Sequence, residues 1–287
     1  MDERLSDLSR STRIVVGVST PVERAAAGLA RDASGQPRSD PAKGDWAGRA
    51  RRSGAGDTDA DGNTFVSPGP IRGMDTTATV SAVETVGRDT YALSFDAPDG
   101  FDAEPGQFVK LGTKIDGESV ARFYTLSSPT VDDSFEVTVG IDPDEGGEFS
   151  AFLAGAEAGT EMTLSGPFGD QHYDGEARAV IVAGGPGVGP AVAIAERALD
   201  EGGEAAIVYR DDDVSHADRL DRLAERGVAV HRLDAADELD AAVAESVTGG
   251  DGETVFVYGF ADLVADAEAA IEAAGGDADA AKVENFG

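Results

Sequence analysis

The sequence predicts a two-domain β + α/β protein: a six-stranded antiparallel barrel over residues 74–174, then a parallel α/β domain over residues 175–287. Three observations predict it. Short alternating apolar segments separated by Gly, Pro and Asp run from Met74 to about Asp174. At Ala177 the period changes, and continuous apolar runs begin to alternate with helical segments. Composition also breaks at Met74: residues 1–73 carry 11 Lys and Arg against 10 Asp and Glu, and residues 74–287 carry 12 against 45, out of 23 and 55 in the chain of 287.

The first segment holds runs such as Asp32-Ala33-Ser34-Gly35-Gln36-Pro37, and only Arg13–Val18 resembles a strand. No packed core is expected there. Residues 1–73 are read either as a disordered extension or as an overlong start, with Met74 as the true first residue. Arg51-Arg52 is not a twin-arginine export signal, because Ser, Gly, Asp and Thr follow it instead of an apolar run.

In the barrel, strands are expected at Thr77–Val86, Thr90–Phe95, Gln107–Leu111, Ser119–Leu126, Ser134–Ile141 and Glu161–Leu164. The fourth carries Arg122-Phe123-Tyr124-Thr125. Arg offers a planar fork matched to phosphate oxygens, Tyr124 two residues on points to the same face, and Thr125 adds a hydroxyl. An anion clamp, a ring for stacking and a donor suit a flavin nucleotide. On these residues alone an ordinary barrel wall stays open as the other reading. One helix is expected, Glu148–Ala154, after Asp144-Glu145-Gly146-Gly147. Its first NH groups suit a phosphate with Arg122 as cationic companion, or the two glycines are a plain turn.

In the second domain, Ala179–Ala183 is an apolar strand that ends in Gly184-Gly185-Pro186-Gly187-Val188-Gly189-Pro190 and leads into a helix over Ala191–Leu199. Further strands at Ala205–Tyr209, Val228–Leu233 and Thr254–Tyr258 alternate with helices at His216–Arg226, Ala236–Ser246 and Ala261–Ala274. That alternation predicts a parallel sheet, with ligands beyond the C-terminal ends of its strands. The glycine turn sits there and suits a pyrophosphate, although Pro190 stands where a third glycine is usual, so a tight structural turn reads equally well.

Taken in order, these pieces resemble the ferredoxin-NADP reductase superfamily of FAD-dependent oxidoreductases, over about residues 74–287. The resemblance rests on Arg122–Thr125, Gly147-Glu148-Phe149-Ser150, Gly166-Pro167-Phe168-Gly169, Gly184–Pro190 and Glu284-Asn285-Phe286-Gly287. It implies a flavin-binding barrel, a nucleotide-binding α/β domain, FAD as cofactor and NAD(P)H as co-substrate. Arg122 would hold the flavin pyrophosphate, with Phe123 beside it in the motif. Tyr124 would stack on the isoalloxazine, and Thr125 would bond near flavin N5. Gly147, Glu148, Phe149 and Ser150 would add phosphate contacts. Gly184, Gly185, Gly187, Val188 and Pro190 would face the nicotinamide dinucleotide. Glu284 would lie by the nicotinamide, and Phe286 would cover the other flavin face. Where many members have Cys-Gly-Pro after the last long strand, this chain has Tyr258-Gly259-Phe260, so Tyr258 takes the place beside the reacting ring and Gly259 the place next to the dinucleotide.

Hydride transfer from NAD(P)H to FAD, with electrons passed to a ferredoxin-like or other acceptor, is the activity this resemblance implies. An electron-transfer subunit of a larger complex and a flavin-binding module without turnover are the alternatives. Arg210, after the second strand of the domain, suits a 2′-phosphate, but Asp211, Asp212 and Asp213 would repel one, which tilts the reading towards NADH.

The acidity is spread over all of residues 74–287, which marks a solvated surface and excludes nucleic acid as a partner. Self-repulsion on this scale needs screening, as in proteins of extreme halophiles, and a haloarchaeal source is expected. The unfolding midpoint should therefore rise between low and molar KCl; a midpoint flat with salt would contradict this. The acceptor, an acidic ferredoxin from the same cytoplasm or another electron carrier, would be a separate protein where it carries an iron-sulfur cluster, since a sequence without cysteine ligates none. His172, His216 and His231 are scattered and read as surface or loop histidines, with no metal site. No apolar stretch reaches the length of a membrane span, so a soluble, cytoplasmic protein is expected.

Overall fold

The computed structural model describes residues 76–141 and 147–286. The readings of residues 1–73 and of Asp144-Glu145-Gly146 fall outside the described residues, as does Gly287. The described part begins with six antiparallel strands: β1 (Thr76–Gly87), β2 (Thr90–Asp96), β3 (Phe108–Ile115), β4 (Glu118–Thr125), β5 (Ser134–Gly140) and β6 (Glu161–Phe168). They form one sheet in the order β4-β3-β6-β1-β2-β5. The sheet curls until its two edges meet, where Leu126 bridges Val137 and the Ser127 NH donates to the Glu136 carbonyl at 2.8 Å. Alternation builds this curl: Val109, Leu111, Leu126, Leu93 and Val137 are fully buried, while Lys110 and Lys114 stay outside. Phe95 and Phe135 stack at 5.1 Å in the middle. Helix α1 (Glu148–Ala154) closes the barrel with Phe149 and Leu153.

The second sheet is parallel throughout, in the order β11-β10-β7-β8-β9. Its strands are β7 (Arg178–Gly184), β8 (Glu204–Arg210), β9 (Ala229–Leu233), β10 (Glu253–Gly259) and β11 (Lys282–Asn285). Four helices accompany them: α2 (Val188–Asp200), α3 (Ala217–Glu225), α4 (Asp240–Ser246) and α5 (Ala261–Ala273). Both sheet faces are covered, which is why β7 reads as an unbroken apolar run. Ile181, Ala183, Ile207 and Tyr209 pack with α2 and α3 residues, and Val180, Val182, Val208 and Val257 with α4 and α5 residues. Fully burying each such Val or Ile contributes about 1.5–3 kcal/mol.

From β7 the chain first adds β8 and β9 on one side, then returns to place β10 on the other. That reversal lies between the C-terminal ends of β7 and β10, the place where sheets of this kind offer a crevice to a ligand. The predicted elements are present, with shifted ends. Strand β3 runs on to Ile115, α2 starts three residues earlier than expected, and α4 starts only at Asp240, with residues 236–239 outside the helix. Strand β11 was not expected at all. Among the described residues, no helix is long and apolar enough to cross a membrane, and no His, Cys, Asp and Glu group could hold a metal ion.

Candidate functional site

Strand β4 places Arg122 opposite Leu111 and Tyr124 opposite Val109, so the two side chains share one face of the strand, as the two-residue spacing requires. Arg122 is exposed. Its guanidinium donates to the neighbouring Ala121 carbonyl at 2.8 Å and, among the described residues, meets no carboxylate, in a chain with 55 of them. Tyr124 is half-buried, with its ring 6.4 Å from that of Phe149 and nearly parallel to it. Burial drives the Tyr124 phenol above its ordinary value, against the opposing pull of Arg122. Thr125 is nearly buried and pairs with Phe108, and Phe123 lies on the outer face beside Lys110. Among the described residues neither the Tyr124 nor the Thr125 hydroxyl has a hydrogen-bond partner. One cation and two hydroxyls left uncommitted along a single strand form a donor set that fits a flavin nucleotide.

At the α1 end, Gly147 and Glu148 are exposed and Ser150 is half-buried. A side chain on Gly147 would meet nothing within 4 Å, so the approach to these NH groups is open. Phe149 differs from its neighbours: its ring is in the barrel core, 3% exposed, and only its backbone could face a phosphate.

In the α/β domain the glycine turn resolves into distinct jobs. Gly184 ends β7, and Gly185–Gly187 form one 3-10 turn that leads directly into α2 at Val188. Gly185 has φ +57°, and a Cβ there would find its nearest neighbours, Asp211 and Phe260, at 3.8 Å. It therefore has room for a Cβ, in ordinary van der Waals contact with those two residues. Gly187 and Gly189 face protein: a Cβ on Gly187 would lie 2.2 Å from the Tyr258 carbonyl oxygen, and one on Gly189 would lie 2.4 Å from both the Ser127 and Thr138 hydroxyls. Pro190 sits in the first turn of α2, where a missing NH loses no intrahelical bond, so the absent third glycine costs the helix nothing.

The end of β4 meets this turn. Ser127, two residues past Thr125, shares a hydrogen bond with Thr138 at 2.7 Å, and Thr138 shares another with His216 Nε2 at 2.8 Å. Arg219 clamps the same seam. It donates to Glu196 on α2 at 2.6 and 3.0 Å, to Glu136 on β5 at 3.0 Å and to the Ser127 carbonyl at 2.9 Å. The sequence offered no signal for this network beyond one of two arginines in α3. His216 corrects an expectation: it is no surface histidine but caps α3 in the left-handed region at φ 53°, 4% exposed. Burial drives its imidazole down to about 3, and the nearby Arg219 charge adds to this.

That shift fixes a pH window. Above about pH 6.5 the ring is neutral in folded and unfolded chains alike; below it the unfolded chain takes a proton that the folded one refuses until pH 3. At pH 5 the loss is about 2 kcal/mol. His216→Gln, whose amide nitrogen can meet Thr138, should therefore gain on the wild type in unfolding free energy as pH falls from 6.5 to 5. A difference constant over that range would contradict the buried neutral ring.

Tyr258 is fully buried, and its hydroxyl donates to the Gln171 carbonyl at 2.7 Å, through space that Gly106 at φ +99° leaves open. Its phenol is pushed well up, first by burial and then by Glu284 and Glu176. Gly259 turns the chain beneath Leu263, whose side chain leaves no room for a Cβ. Strand β11 pairs Glu284 with Tyr258 across the ladder, and the Phe286 NH donates to the Gly259 carbonyl at 2.9 Å. The Phe286 ring meets Phe260 edge-on at 5.9 Å. Glu284 is half-buried, and desolvation alone raises its carboxyl to about 7. Lys282 anchors this last strand by donating to the His172 carbonyl at 2.6 Å and to Glu176 at 2.5 Å. Arg210 turns away from the crevice mouth: it donates to Asp266 at 2.8 Å and to the Asp237 carbonyl at 3.2 Å.

Residues 77–173 match the family model described as "Oxidoreductase FAD-binding domain". The ferredoxin reductase component of 3-ketosteroid-9-alpha-monooxygenase from Mycolicibacterium smegmatis is 33% identical over 219 residues, 69% of this chain and 62% of that protein. The reductase subunit of glycine betaine monooxygenase from Chromohalobacter salexigens is 41% identical over 106 residues, 35% of this chain and 28% of that protein. The chain thus spans less than two thirds of these curated relatives. In fold it is similar to the cytochrome b5 reductase domain of Ulva prolifera nitrate reductase, with a TM-score of 0.64 at 20% identity over 76% of this chain and 100% of that one. It is also similar to a ferredoxin NADP+ reductase from Neisseria gonorrhoeae with bound FAD and NADP, with a TM-score of 0.61 at 17% identity over 74% and 99% of the two chains. Residues 77–173 thus match an oxidoreductase FAD-binding domain, and the antiparallel barrel followed by a parallel α/β sheet is the fold of the ferredoxin reductase-like structures.

Proposed function

We propose that this chain takes hydride from NAD(P)H onto FAD and passes the electrons to a separate acceptor protein, as the reductase component of an oxygenase-type or ferredoxin-linked system. One observation carries the reading: Ser127, just past the β4 motif, packs on Gly189 at the start of the nucleotide helix, so the two half-sites share one seam. The reductase components among the relatives support the same class of reaction.

When bound, FAD supplies the hydride acceptance and the release of electrons; the protein supplies position and electrostatics. Arg122 would hold the pyrophosphate bidentately, with the backbone of Gly147–Ser150 as its second support. Tyr124 would lie on one face of the isoalloxazine and Phe286 would cover the other until the nicotinamide arrives. Thr125 would donate at N5. Of the turn Gly184, Gly185, Gly187, Val188 and Pro190, Gly185 would meet the dinucleotide, while its neighbours and Gly259 would hold the turn against the sheet and Leu263. Glu284, with a carboxyl near 7, would hold or release a proton beside the reacting carbon. Tyr258 would act as a positioning residue, because its hydroxyl is committed to Gln171.

NADH is the proposed co-substrate. Arg210 would have to leave Asp266 to meet a 2′-phosphate, and Asp211 to Asp213 line the approach. A kcat/KM higher with NADPH than with NADH would reverse this assignment. The function itself is tested by mass analysis of the released flavin and by NADH-driven reduction of ferricyanide in molar KCl. A flavin-free protein that neither takes up FAD nor turns over would sink the proposal. A salt-adapted, cytoplasmic protein of haloarchaeal origin is proposed on the acidic composition.

A further inference from the structure

We propose that Arg219 is a positioning residue for hydride transfer, whose guanidinium holds the barrel and the α/β domain at one fixed setting so that flavin and nicotinamide meet; the inference rests on the reductase reading above. Three elements converge on this side chain. Its Nε and Nη2 donate to the two carboxylate oxygens of Glu196 on α2, at 3.0 and 2.6 Å. Its Nη1 donates to Glu136 on β5 at 3.0 Å, and Nη2 donates again to the Ser127 carbonyl at 2.9 Å. Glu196 belongs to the α/β domain, whereas Glu136 and Ser127 belong to the barrel. A planar fork of fixed donors satisfies this set; an ammonium on a flexible stem does not reproduce its geometry.

The clamp acts on both half-sites. Helix α2 starts at the glycine turn, where Gly189 packs on the Ser127 and Thr138 hydroxyls, and Glu196 lies about two turns further along it. Two points held against the barrel fix the direction of the helix as well as its start. On the barrel side Ser127 is pinned three ways, by its carbonyl to Arg219, its hydroxyl to Thr138 and its NH to the Glu136 carbonyl. Thr125, the proposed donor at N5, stands two residues away, at most about 7 Å of chain. Hydride transfer carries two electrons and one proton from nicotinamide C4 to flavin N5 and needs those atoms about 3–3.5 Å apart, so a misplacement of about 1 Å costs about 100-fold.

Stability alone does not account for the cluster. The side chains of Arg219, Glu196 and Glu136 are 15, 19 and 25% exposed, and a network so buried gains little over apolar residues of the same volume; its use is to select one arrangement. Burial pushes the Glu136 carboxyl up, Arg219 pulls it back, and the charges of Glu196 and Glu84 push it further. Without Arg219, carboxylates from the two domains would face each other and part the seam. The domains would stay joined through the connection from β6 to β7, where the Gln171 carbonyl accepts from Tyr258 and Lys282 donates to the His172 carbonyl and to Glu176. Those attachments form a pivot. Contacts near Arg219 would loosen as the domains turn, among them the bond from the His216 NH to the Val86 carbonyl at 2.8 Å.

Arg219→Gln tests this on the flavin-loaded protein in molar KCl. On anaerobic mixing with saturating NADH, its flavin band should bleach about tenfold or more slowly than that of wild type, with the half-saturating NADH concentration within about twofold, since the proposed dinucleotide contacts lie inside one domain. Hydrogen exchange, read without NADH, supplies the second measurement. The His216 amide, which donates across the seam, should exchange about tenfold or more faster, while the Leu93 amide in the barrel and the Val182 amide in the parallel sheet keep their wild-type rates. An arginine that only added stability would speed all three alike. Should Arg219→Gln fold poorly, Arg219→Lys, which keeps the charge without the fork, must still slow bleaching by about threefold or more. A folded variant that bleaches within about twofold of wild type, or whose His216 amide exchanges no faster, overturns the proposal. Failure of the reductase reading is distinct, because it shows in the wild type, which then bleaches with neither NADH nor NADPH, and it removes this role as well.

Discussion

Gly187→Ala is expected to destabilise the protein by about 3 kcal/mol and lower its Tm by on the order of 10 °C. The methyl group would arrive 2.2 Å from the Tyr258 carbonyl oxygen and 2.8 Å from its carbonyl carbon. Both are backbone atoms of β10 held in the ladder to β7, so no side chain can swing aside. Either α2 lifts from the sheet or β10 shifts, and both disturb the fully buried cluster around Val188 and Ile181. Gly185→Ala is the matched comparison. Its methyl meets nothing closer than 3.8 Å, so the cost is only that of φ +57° for a residue with a Cβ, about 1–2 kcal/mol. The new group would intrude on the proposed dinucleotide floor, so its KM for NADH should rise while most of the stability remains. Thermal unfolding and steady-state kinetics on the pair separate the two roles. A Gly187→Ala protein as stable as wild type would mean that α2 does not approach β10 this closely.

Glu284→Gln should make the protein more stable above neutral pH and slower as a catalyst. The folded carboxyl titrates near 7 and the unfolded one at its ordinary 4.5, because the site removes water without supplying a cationic partner. The sign follows from linkage: the preference for the protonated form contributes fully below pH 4.5 and is lost as pH rises through 7. At pH 8 the buried carboxylate thus costs up to about 3 kcal/mol, an upper bound since the residue is only half-buried. Glutamine keeps the shape without the charge. Its unfolding free energy should exceed that of wild type at pH 8, and the gap should shrink towards pH 5. NADH-dependent turnover should fall about tenfold or more, and its dependence on a group near pH 7 should vanish. Stability gained together with activity lost is the pattern of a site that stores an unfavourable charge for use. A variant no more stable at pH 8 would place Glu284 in open water.

The order of elements was readable because each depends on local pattern. Alternation gave β1 to β6, and the long apolar run of β7 declared a strand buried on both faces. Strand β11 was unreadable for the opposite reason. Lys282–Asn285 is four residues with no period, and it becomes a strand only because β10 offers a free edge. Its register nevertheless sets Glu284 beside Tyr258. The glycine turn read equally well as a phosphate loop or as a tight structural turn; Gly187 and Gly189 are empty of side chain so that backbone and barrel can approach, and of the three only Gly185 has room for a Cβ. A glycine demanded by close packing and one demanded by a ligand look the same in one dimension. His216 was misplaced on the surface, because its burial depends on Thr138, 78 residues away. Phe149 was placed among phosphate contacts by its motif, and its apolar ring went to the core instead.

Anaerobic stopped-flow mixing of the flavin-loaded protein with NADH deuterated at one or the other face of C4 tests most directly whether the β4 face and the glycine turn form one hydride-transfer site. The flavin band should bleach with both, and a primary isotope effect should appear for one deuterated face and not the other, because the seam fixes how the nicotinamide lies on the flavin. A band that bleaches with neither NADH nor NADPH, in salt that keeps the protein folded, would contradict it.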